Sequence, residues 1–353
     1  MAALDTNIIH ANTRVRGLKS RLFTPAALKE FLTQSGGPKA MSDALLESPY
    51  RTEMAEALTR LEGADAIEEA ASRNLTATFQ YILNQTKAEY QELVRVFLGR
   101  WDLHAVKALL RCRHQGLEGD AATSALLPGP TLTAALLSDF ATRPDMKSLV
   151  LSLAGWNAAL CAPLRNLLKD YEANHDLAPL EEALDRTYFA ERVERLRGTN
   201  DTNEVLLQEY LQSEIDRINL RLIFDRVQSA ELRTDVPGFL PNGTLAPPIL
   251  NRMAEAEDPA AAMTLLEETR YAGLVEELFQ LMQTHRFSPI ERYFERFIIK
   301  ALRDMARKDI FGLGVVMNYA WLKYNEIINL RLIARGLAGN VPVGRVREEL
   351  YFL

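Results

Sequence analysis

Apolar residues recur every three to four positions along almost the whole chain, with charged residues between them. The stretch LEEALDRTYFAERVERL, which begins at Leu180, keeps this spacing over several turns. That period is typical of amphipathic α-helices. Alternating runs rich in Val, Ile and Thr, which would indicate strands, are missing from the sequence. We therefore predict an all-α fold.

Three segments of this helical pattern resemble one another without gaps. They are RWDLHAVKALLR from Arg100, EIDRINLRLIFD from Glu214 and YNEIINLRLIAR from Tyr324, offset by 114 and then 110 residues. Flanking landmarks repeat at similar offsets. LEEALDRTYF resembles IERYFERFII and IEEAASRNLT upstream, and LLPGPTL resembles FLPNGTL downstream. Such regularity indicates a triplicated unit of about 110 residues, which is domain-sized rather than solenoid-sized.

We expect three helical bundle domains related by an approximate threefold axis, forming a funnel. The length of 353 residues fits two to three domains. The predicted domains are 1–120, 121–235 and 236–353, with boundaries in the loop stretches 114–131 and 227–248, which are rich in Gly, Pro and polar residues. The third copy lacks a tail, because the chain stops soon after its repeated helix, and the N-terminal helix is a candidate to complete another repeat.

A helical wheel places most of the repeated helix against the core. Leu211, Ile215, Ile218 and Leu222 form one apolar stripe, and Leu220, Ile223 and Phe224 form a second. Phe97 and Trp321 occupy the Leu211 position in the other copies, so we expect a large packing anchor there. A narrow charged stripe consists of Glu214, Arg217, Arg221 and Asp225, and it offers pairs of opposite charge three and four residues apart.

Two polar positions recur within these helices. The first holds an acid in every copy and the second an amide in two of them: Asp102, Asp216, Glu326, Asn219 and Asn329. Both positions lie between the apolar stripes, where an unpaired carboxylate is costly. One hypothesis is a structural bond that caps a neighbouring helix or fixes the packing between copies; the other is catalysis or ion binding. We favour the structural role, because an active site is seldom built three times.

A basic residue also recurs, as Lys107, Arg221 and Arg331. We expect these side chains to form a solvated face. The alternative is a face turned toward a partner, lining a central opening.

Composition narrows the classes of partner and chemistry. The net charge of −6 argues against nucleic acid or anionic lipid as the main partner. The two cysteines, Cys112 and Cys161, are too few for a disulfide framework and favour a reducing compartment. Neither a metal-ligand spacing nor a cofactor motif is evident, so we expect no cofactor and no metal site.

The chain carries none of the familiar catalytic motifs. The Gly312–Gly314 pair follows no predicted strand, so it indicates a helix start rather than a phosphate loop. Cys112 is interpreted as a small core residue rather than a nucleophile paired with His114. The charge-free run 148–164 is too short to span a bilayer and predicts a buried core helix. We expect no enzyme activity and no direct membrane insertion.

The C-terminal stretch FGLGVVMNYAWLKYNEIINLRLIARGLAGNVPVGRVREEL resembles the end of the C subunit of archaeal and bacterial V/A-type rotary ATPases, a family homologous to the d subunit of the eukaryotic vacuolar enzyme. Its most specific core is K-x-x-E-I-x-N-L-R-L-I-A-R-G from Lys323. The opening ANTRVRGLKSRLFTPAALKEFL and the segment RWDLHAVKALLR are also similar to the family. Ala105 departs from the usual Asn of that second segment, so an Asn-specific bond is lost in the first copy.

This resemblance implies a role without catalysis. A C subunit sits between the membrane rotor ring and the central shaft, which is made of the D and F subunits, and it transmits torque between them. The implied location is the cytoplasmic face of the ring, peripheral to the membrane. An unrelated triplicated helical scaffold for protein interaction is the alternative, and an enzyme that uses the Asp and Asn positions is a more distant one.

Overall fold

The structure is a computed structural model that describes residues 6–33, 36–117, 119, 122, 126–228, 238–283 and 290–350. Every regular element in these ranges is helical, which confirms the predicted all-α class.

The helices follow in chain order, with two 3-10 turns at Leu265–Glu268 and Ala272–Leu274. The α-helices are α1 (Thr6–Lys19), α2 (Pro25–Thr33), α3 (Gly37–Leu46), α4 (Arg51–Ala57), α5 (Gly63–Gln85), α6 (Ala88–His114), α7 (Ala134–Ala141), α8 (Met146–Trp156), α9 (Ala158–Cys161), α10 (Leu164–Asn174), α11 (Ala178–Arg195), α12 (Thr202–Gln228), α13 (Pro247–Ala254), α14 (Pro259–Thr264), α15 (Val275–Gln283), α16 (Ile290–Lys308), α17 (Gly314–Ala338) and α18 (Val343–Glu349).

The chain forms two compact units. The first contains Met1–Leu184 and Ala306–Leu353, and the second contains Asp185–Met305. Both predicted domain boundaries, 120/121 and 235/236, lie outside the described residues, so the three-domain division stays a prediction.

The three repeated segments lie on α6, α12 and α17, each preceded by the helix that carries the upstream landmark. Phe97, Leu211 and Trp321, the expected packing anchors, are all fully buried. In the first unit, the rings of Trp101 and Trp321 lie 5.5 Å apart, so α6 and α17 pack against each other there. α17 begins at Gly314, as the glycine pair predicted.

The charge-free run 148–164 folds as separate helices rather than one. The Asn157 side chain accepts a hydrogen bond from the Leu160 backbone N–H and caps α9, so α8 ends just before it. α10 starts directly after Pro163. Leu149 and Leu153 are buried, as expected of a core helix, whereas Leu151 is exposed. Throughout the described ranges, none of the helices combines the length and the apolarity needed to cross a bilayer.

The burial of α12 differs from the helical wheel in one respect: Leu222 is 38% exposed, so the first apolar stripe does not stay buried to its end. On the charged stripe, Glu214 and Arg217 are buried and their side chains pair at 3.1 Å, one of the pairs of opposite charge that the spacing made available. A helical wheel gives the direction of a side chain but not what packs against it. Two opposite charges one helical turn apart can be buried together, because each neutralises the charge of the other.

The helices of the N-terminal segment are spaced like those that follow the first two repeated helices, α6 and α12. α7 and α13 begin two residues after Leu132 and Leu245, and α2 begins two residues after Phe23. From the same three residues, α8, α14 and α3 each begin 14 positions further on. This spacing is the one expected if the N-terminal segment completes another repeat, as the sequence analysis allowed, and the division into repeats stays a prediction.

Candidate functional site

The repeated acid of α12 is a fully buried carboxylate bound by the segment that follows the helix. Asp216 accepts hydrogen bonds from the Thr244 backbone N–H at 3.0 Å and from the Leu245 N–H at 3.1 Å. The Thr244 hydroxyl donates to the same carboxylate. The Tyr271 hydroxyl donates as well, at 2.8 Å, so four donors converge on one side chain.

The equivalent acid of α6 binds the equivalent loop. Asp102 accepts from the Thr131 backbone N–H at 3.0 Å, from the Thr131 hydroxyl at 2.8 Å and from the Leu132 N–H at 2.8 Å. These contacts belong to the downstream landmark LLPGPTL, which repeats as FLPNGTL. The landmark therefore recurs because it presents a Thr-Leu pair to a buried acid.

A glycine lies against each of these two carboxylates. A Cβ added at Gly129 would stand 2.1 Å from an Asp102 oxygen, and one at Gly243 would stand 2.2 Å from an Asp216 oxygen. Neither distance leaves room for a side chain. Both loops therefore require glycine at these positions, because the loop backbone lies so close to the acid.

The acid of α17 finds its donors at the other end of the chain. Glu326 accepts hydrogen bonds from the Phe23 backbone N–H and from the Tyr50 hydroxyl. Phe23 stands where Leu132 and Leu245 stand in the other copies, so the N-terminal segment occupies the place of the loop.

Two tyrosines have matching positions in the second and third acid sites. The Tyr50 N–H donates to the Ser48 hydroxyl and the Tyr271 N–H to the Thr269 hydroxyl, both at 3.1 Å. Each tyrosine then donates its hydroxyl to the repeated acid. This similarity extends the repeat into the N-terminal segment.

The third site also holds a buried lysine. The Lys323 ammonium donates to Glu326 at 3.0 Å and to the Tyr50 hydroxyl at 2.7 Å, and it lies 4.1 Å from the centre of the Tyr50 ring. Burial lowers the pKa of Lys323, and the Glu326 carboxylate opposes that shift. The pKa of Tyr50 lies well above its ordinary value, first through burial and then through the adjacent Glu326 charge.

Burial also dominates the electrostatics of Asp216. It raises the pKa of this carboxyl above its ordinary value, although the hydrogen bonds from Thr244, Leu245 and Tyr271 act in the opposite direction. Burial, and then the charge of this carboxylate, raise the pKa of Tyr271.

The repeated amide joins the helix to the same loop. Asn219 donates to the Leu240 carbonyl at 2.9 Å and accepts from the Leu240 N–H at 2.8 Å, as a backbone partner would. Asn329 is buried at the matching position of α17. Ala105 has no side-chain group to make such a pair in the first copy.

The three repeated basic residues have different surroundings. Arg221 is exposed and lies 3.4 Å from the Asp225 carboxylate, and Lys107 is half-buried. Arg331 is buried and donates to the Leu126 carbonyl at 3.0 Å, with Glu68 at 3.7 Å. The expectation of a solvated face is therefore wrong for Arg331, because the first unit supplies a carbonyl and a carboxylate at that position.

Several residues of these sites escaped the sequence analysis. Tyr50 and Tyr271 lie far from their acids along the chain, and only an alignment of the N-terminal segment with the second copy could have linked them. Lys323 and Glu326 stand one helical turn apart, which was a visible signal of a pair. Within the described residues, no group of three or more His, Cys, Asp or Glu side chains is arranged to hold a metal ion.

The fold and these sites define a class: an all-helical protein with an internal repeat, in which a buried acid of a long helix joins that helix to another part of the chain. Comparison with known families is more specific. Residues 11–349 match the model of the ATP synthase (C/AC39) subunit family. The chain belongs to this family.

Curated relatives agree over nearly their whole length. The chain is 26% identical to the C subunit of the V-type ATP synthase of Deinococcus radiodurans, covering 97% of this chain and 90% of the relative. It is also 26% identical to the C subunit of the A-type ATP synthase of Methanothermobacter thermautotrophicus, covering 97% and 87%. For the C subunit of the A-type ATP synthase of Haloquadratum walsbyi the identity is 24%, and the match covers 99% of both chains. These matches argue against a scaffold unrelated to rotary ATPases.

Proposed function

We propose that this protein is the central-stalk adaptor of a rotary V/A-type ATPase. In this role it links the shaft, made of the D and F subunits, to the membrane rotor ring and transmits torque during ATP-driven ion transport or ATP synthesis. The observation that carries the proposal is the family match over residues 11–349, together with relatives that are themselves named as the C subunit of an ATP synthase.

The packing of the repeated helices supports a mechanical role. Torque passes through a body without loss only if that body is stiff, and close packing supplies stiffness. α6 and α17 pack through buried tryptophans in the first unit, and α12 packs against the core of the second. The acid sites add polar joints, since each ties a long helix to a segment distant in sequence.

We also propose that the repeated acids act as structural joints and that the protein is not an enzyme. Asp102 and Asp216 each receive at least three hydrogen bonds from their own chain, and Glu326 receives three, counting Lys323. A carboxylate engaged in this way is held rather than presented to a substrate.

The remaining parts of the proposal follow from the family role. Three helical domains would form a funnel that seats on the ring and receives the shaft. The chain would lie on the cytoplasmic side, held at the membrane by the ring. Lys107 and Arg221 remain candidates for a partner-facing surface.

Deletion of the gene tests this function directly. We expect membranes from the deletion strain to lose ATP-driven ion pumping, whereas the catalytic head, once detached, keeps its ATP hydrolysis. Plasmid-borne wild-type chain restores pumping, and a tagged copy isolated from gently solubilised membranes brings down shaft and ring subunits at near-equal amounts. Normal coupling without the chain, or isolation of the tagged chain alone, would exclude the adaptor role.

A further inference from the structure

The N-terminal helix carries a concentration of positive charge in an otherwise acidic chain. Residues 6–29 contain five basic residues and no acidic one, in a protein whose net charge is −6. Four of the cations belong to α1 and the turn after it, and all four are exposed: Arg14, Arg16, Lys19 and Arg21. The guanidinium groups of Arg14 and Arg21 pair with no acid among the described residues.

The opposite side of α1 is already occupied. Ile8, Ala11 and Val15 are buried, and they form the side of the helix that packs into the first unit. Arg14 and Arg16 flank the outer side, where Thr13 and Gly17 also lie. Lys19 lies toward the packed side and donates to the Asn318 side chain at 3.1 Å.

An apolar pair lies beside the cations. Ile310 and Phe311 are 44% and 42% exposed, in the turn between α16 and α17. This turn is tied to α1, since the Arg16 guanidinium donates to the Ile310 carbonyl at 2.8 Å and the Asn12 amide donates to the Gly312 carbonyl at 3.1 Å.

The acid of this turn is already engaged. The carboxylate of Asp309 accepts the Phe311 N–H at 3.0 Å. It therefore adds one negative charge beside the three arginines Arg14, Arg16 and Arg21, and the surface stays basic.

Gly17 is not explained by the fold. It stands inside α1 with an ordinary helical φ, and a Cβ added there would meet nothing within 4 Å. A glycine inside a helix is less favourable than alanine, because it loses more backbone freedom on folding. Without a side chain at position 17, the outer side of α1 stays open between Arg14 and Arg16, so that another chain can approach the helix closely.

We propose that this surface, formed by Arg14, Arg16, Gly17, Arg21 and the Ile310–Phe311 pair, docks an acidic protein segment. We call it the α1 face. Carboxylates of the partner pair with the arginines, and an apolar side chain of the partner covers Ile310 and Phe311. The identification of the partner as another subunit of the complex rests on the proposed function.

Charge complementarity favours a protein over a membrane as the occupant. Arginine binds carboxylates through two parallel hydrogen bonds, and this geometry makes it frequent in protein interfaces. A helix that binds a membrane surface inserts its apolar side, but that side of α1 is buried in the chain. The net charge of −6 also opposes approach to an anionic bilayer.

The test uses the assembled complex, purified through a tag on this chain from a strain that lacks the native copy. A photo-reactive benzoylphenylalanine replaces Gly17, where the structure offers open space, and replaces Lys169, an exposed residue of α10, in the control. Separately, the double variant Arg14→Glu/Arg21→Glu is compared with Lys169→Glu for retention in the complex at rising salt. Thermal melting of each isolated chain checks that the fold is kept.

We expect a cross-link from position 17 to a carboxylate-rich segment of another subunit. The double variant should lower retention at least about tenfold, whereas Lys169→Glu should behave as wild type. Gly17→Leu should weaken retention without lowering the melting temperature, because its side chain blocks the face but not the fold.

Four results overturn the inference. The wild-type chain can co-purify in full while position 17 yields no protein cross-link, which refutes the α1 face but leaves the adaptor role intact. Unchanged retention of the double variant would also refute it. Binding of the isolated chain to vesicles of equal parts phosphatidylglycerol and phosphatidylcholine, abolished by the double variant, would assign the face to lipid. If the wild-type chain co-purifies with no other subunit, the adaptor role fails first and the inference fails with it.

Discussion

The Tyr50 hydroxyl donates to the Glu326 carboxylate and so joins residues 276 positions apart in the sequence. Lys323 contacts both partners, and all three side chains are buried. The contact ties the N-terminal helices to the last long helix, α17. Unfolding of the first unit therefore requires that this cluster be broken.

Substitution Tyr50→Phe should destabilise the protein by about 1–3 kcal/mol, because it leaves Glu326 and Lys323 with one buried partner fewer. The ring is kept, so the loss reports the hydroxyl alone. The free energy of unfolding, measured by urea denaturation, checks the value. Tyr293→Phe is the matched control, since Tyr293 is half-buried and its hydroxyl makes no hydrogen bond with a described residue, and we expect a change under about 0.5 kcal/mol. Equal stability of Tyr50→Phe and wild type would show that the cluster contributes nothing.

The repeat was predictable from sequence only where its side chains are repeated. The long helices, their anchors and the Thr-Leu loops carry visible similarity. The contact of Phe23 does not, because Phe23 binds Glu326 through its backbone N–H, a group that every residue except proline has. This hydrogen bond therefore places little restriction on which residue stands at position 23.

Exposure was harder to predict than helix position. Lys107, Arg221 and Arg331 share one angle on their helices, but only Arg331 faces Glu68 and the Leu126 carbonyl. Hydrophobic periodicity predicts the direction in which a side chain points. It does not predict which groups a distant segment of the chain brings next to that side chain. Family resemblance supplied the proposed function, since no local motif of this chain indicates torque transmission.

The loop glycines give a second prediction. Gly243→Ala should destabilise the protein by about 2–4 kcal/mol, because its Cβ would overlap the Asp216 carboxylate and displace the bound loop. Gly155→Ala is the control: it lies in α8 with nothing within 4 Å of the added Cβ, and it should be neutral or stabilising by up to about 1 kcal/mol. Thermal melting of both variants measures the change in stability that each substitution causes. A Gly243→Ala protein as stable as wild type would contradict the close approach.

Asp216 should make stability depend on pH in a definite direction. Burial raises the pKa of this carboxyl above its ordinary value of 3.8, so the folded state binds the proton more tightly than the unfolded state. Acidification from neutral pH toward 3.8 should therefore stabilise wild type relative to Asp216→Asn. At neutral pH the variant should already be less stable by about 1–3 kcal/mol, because one backbone N–H of the loop loses its acceptor.

Urea denaturation of both proteins at several pH values measures that difference, in which the contributions of the other acids cancel. The gap should widen as the pH falls. A gap that narrows would mean that the hydrogen bonds outweigh burial and that the pKa is lowered. Asp225→Asn is the control, because Asp225 is exposed on the same helix and its substitution should change the free energy of unfolding by less than about 0.5 kcal/mol.

The two thiols provide a measure of how tightly the first unit is closed. Cys161 is fully buried, and burial raises its pKa to about 12; burial also raises the pKa of Cys112, which is 6% exposed. Because the thiolate is the reactive form, neither cysteine should react with a disulfide reagent at neutral pH while the protein is folded, and both should react in denaturant. Single Cys→Ser variants assign the signals. We expect Cys161 to label only at the rate of unfolding and Cys112 somewhat sooner, through local opening at the end of α6. Rapid labelling of Cys161 in native buffer would show that its core opens without global unfolding, and it would contradict the stiffness that the proposed mechanical role requires.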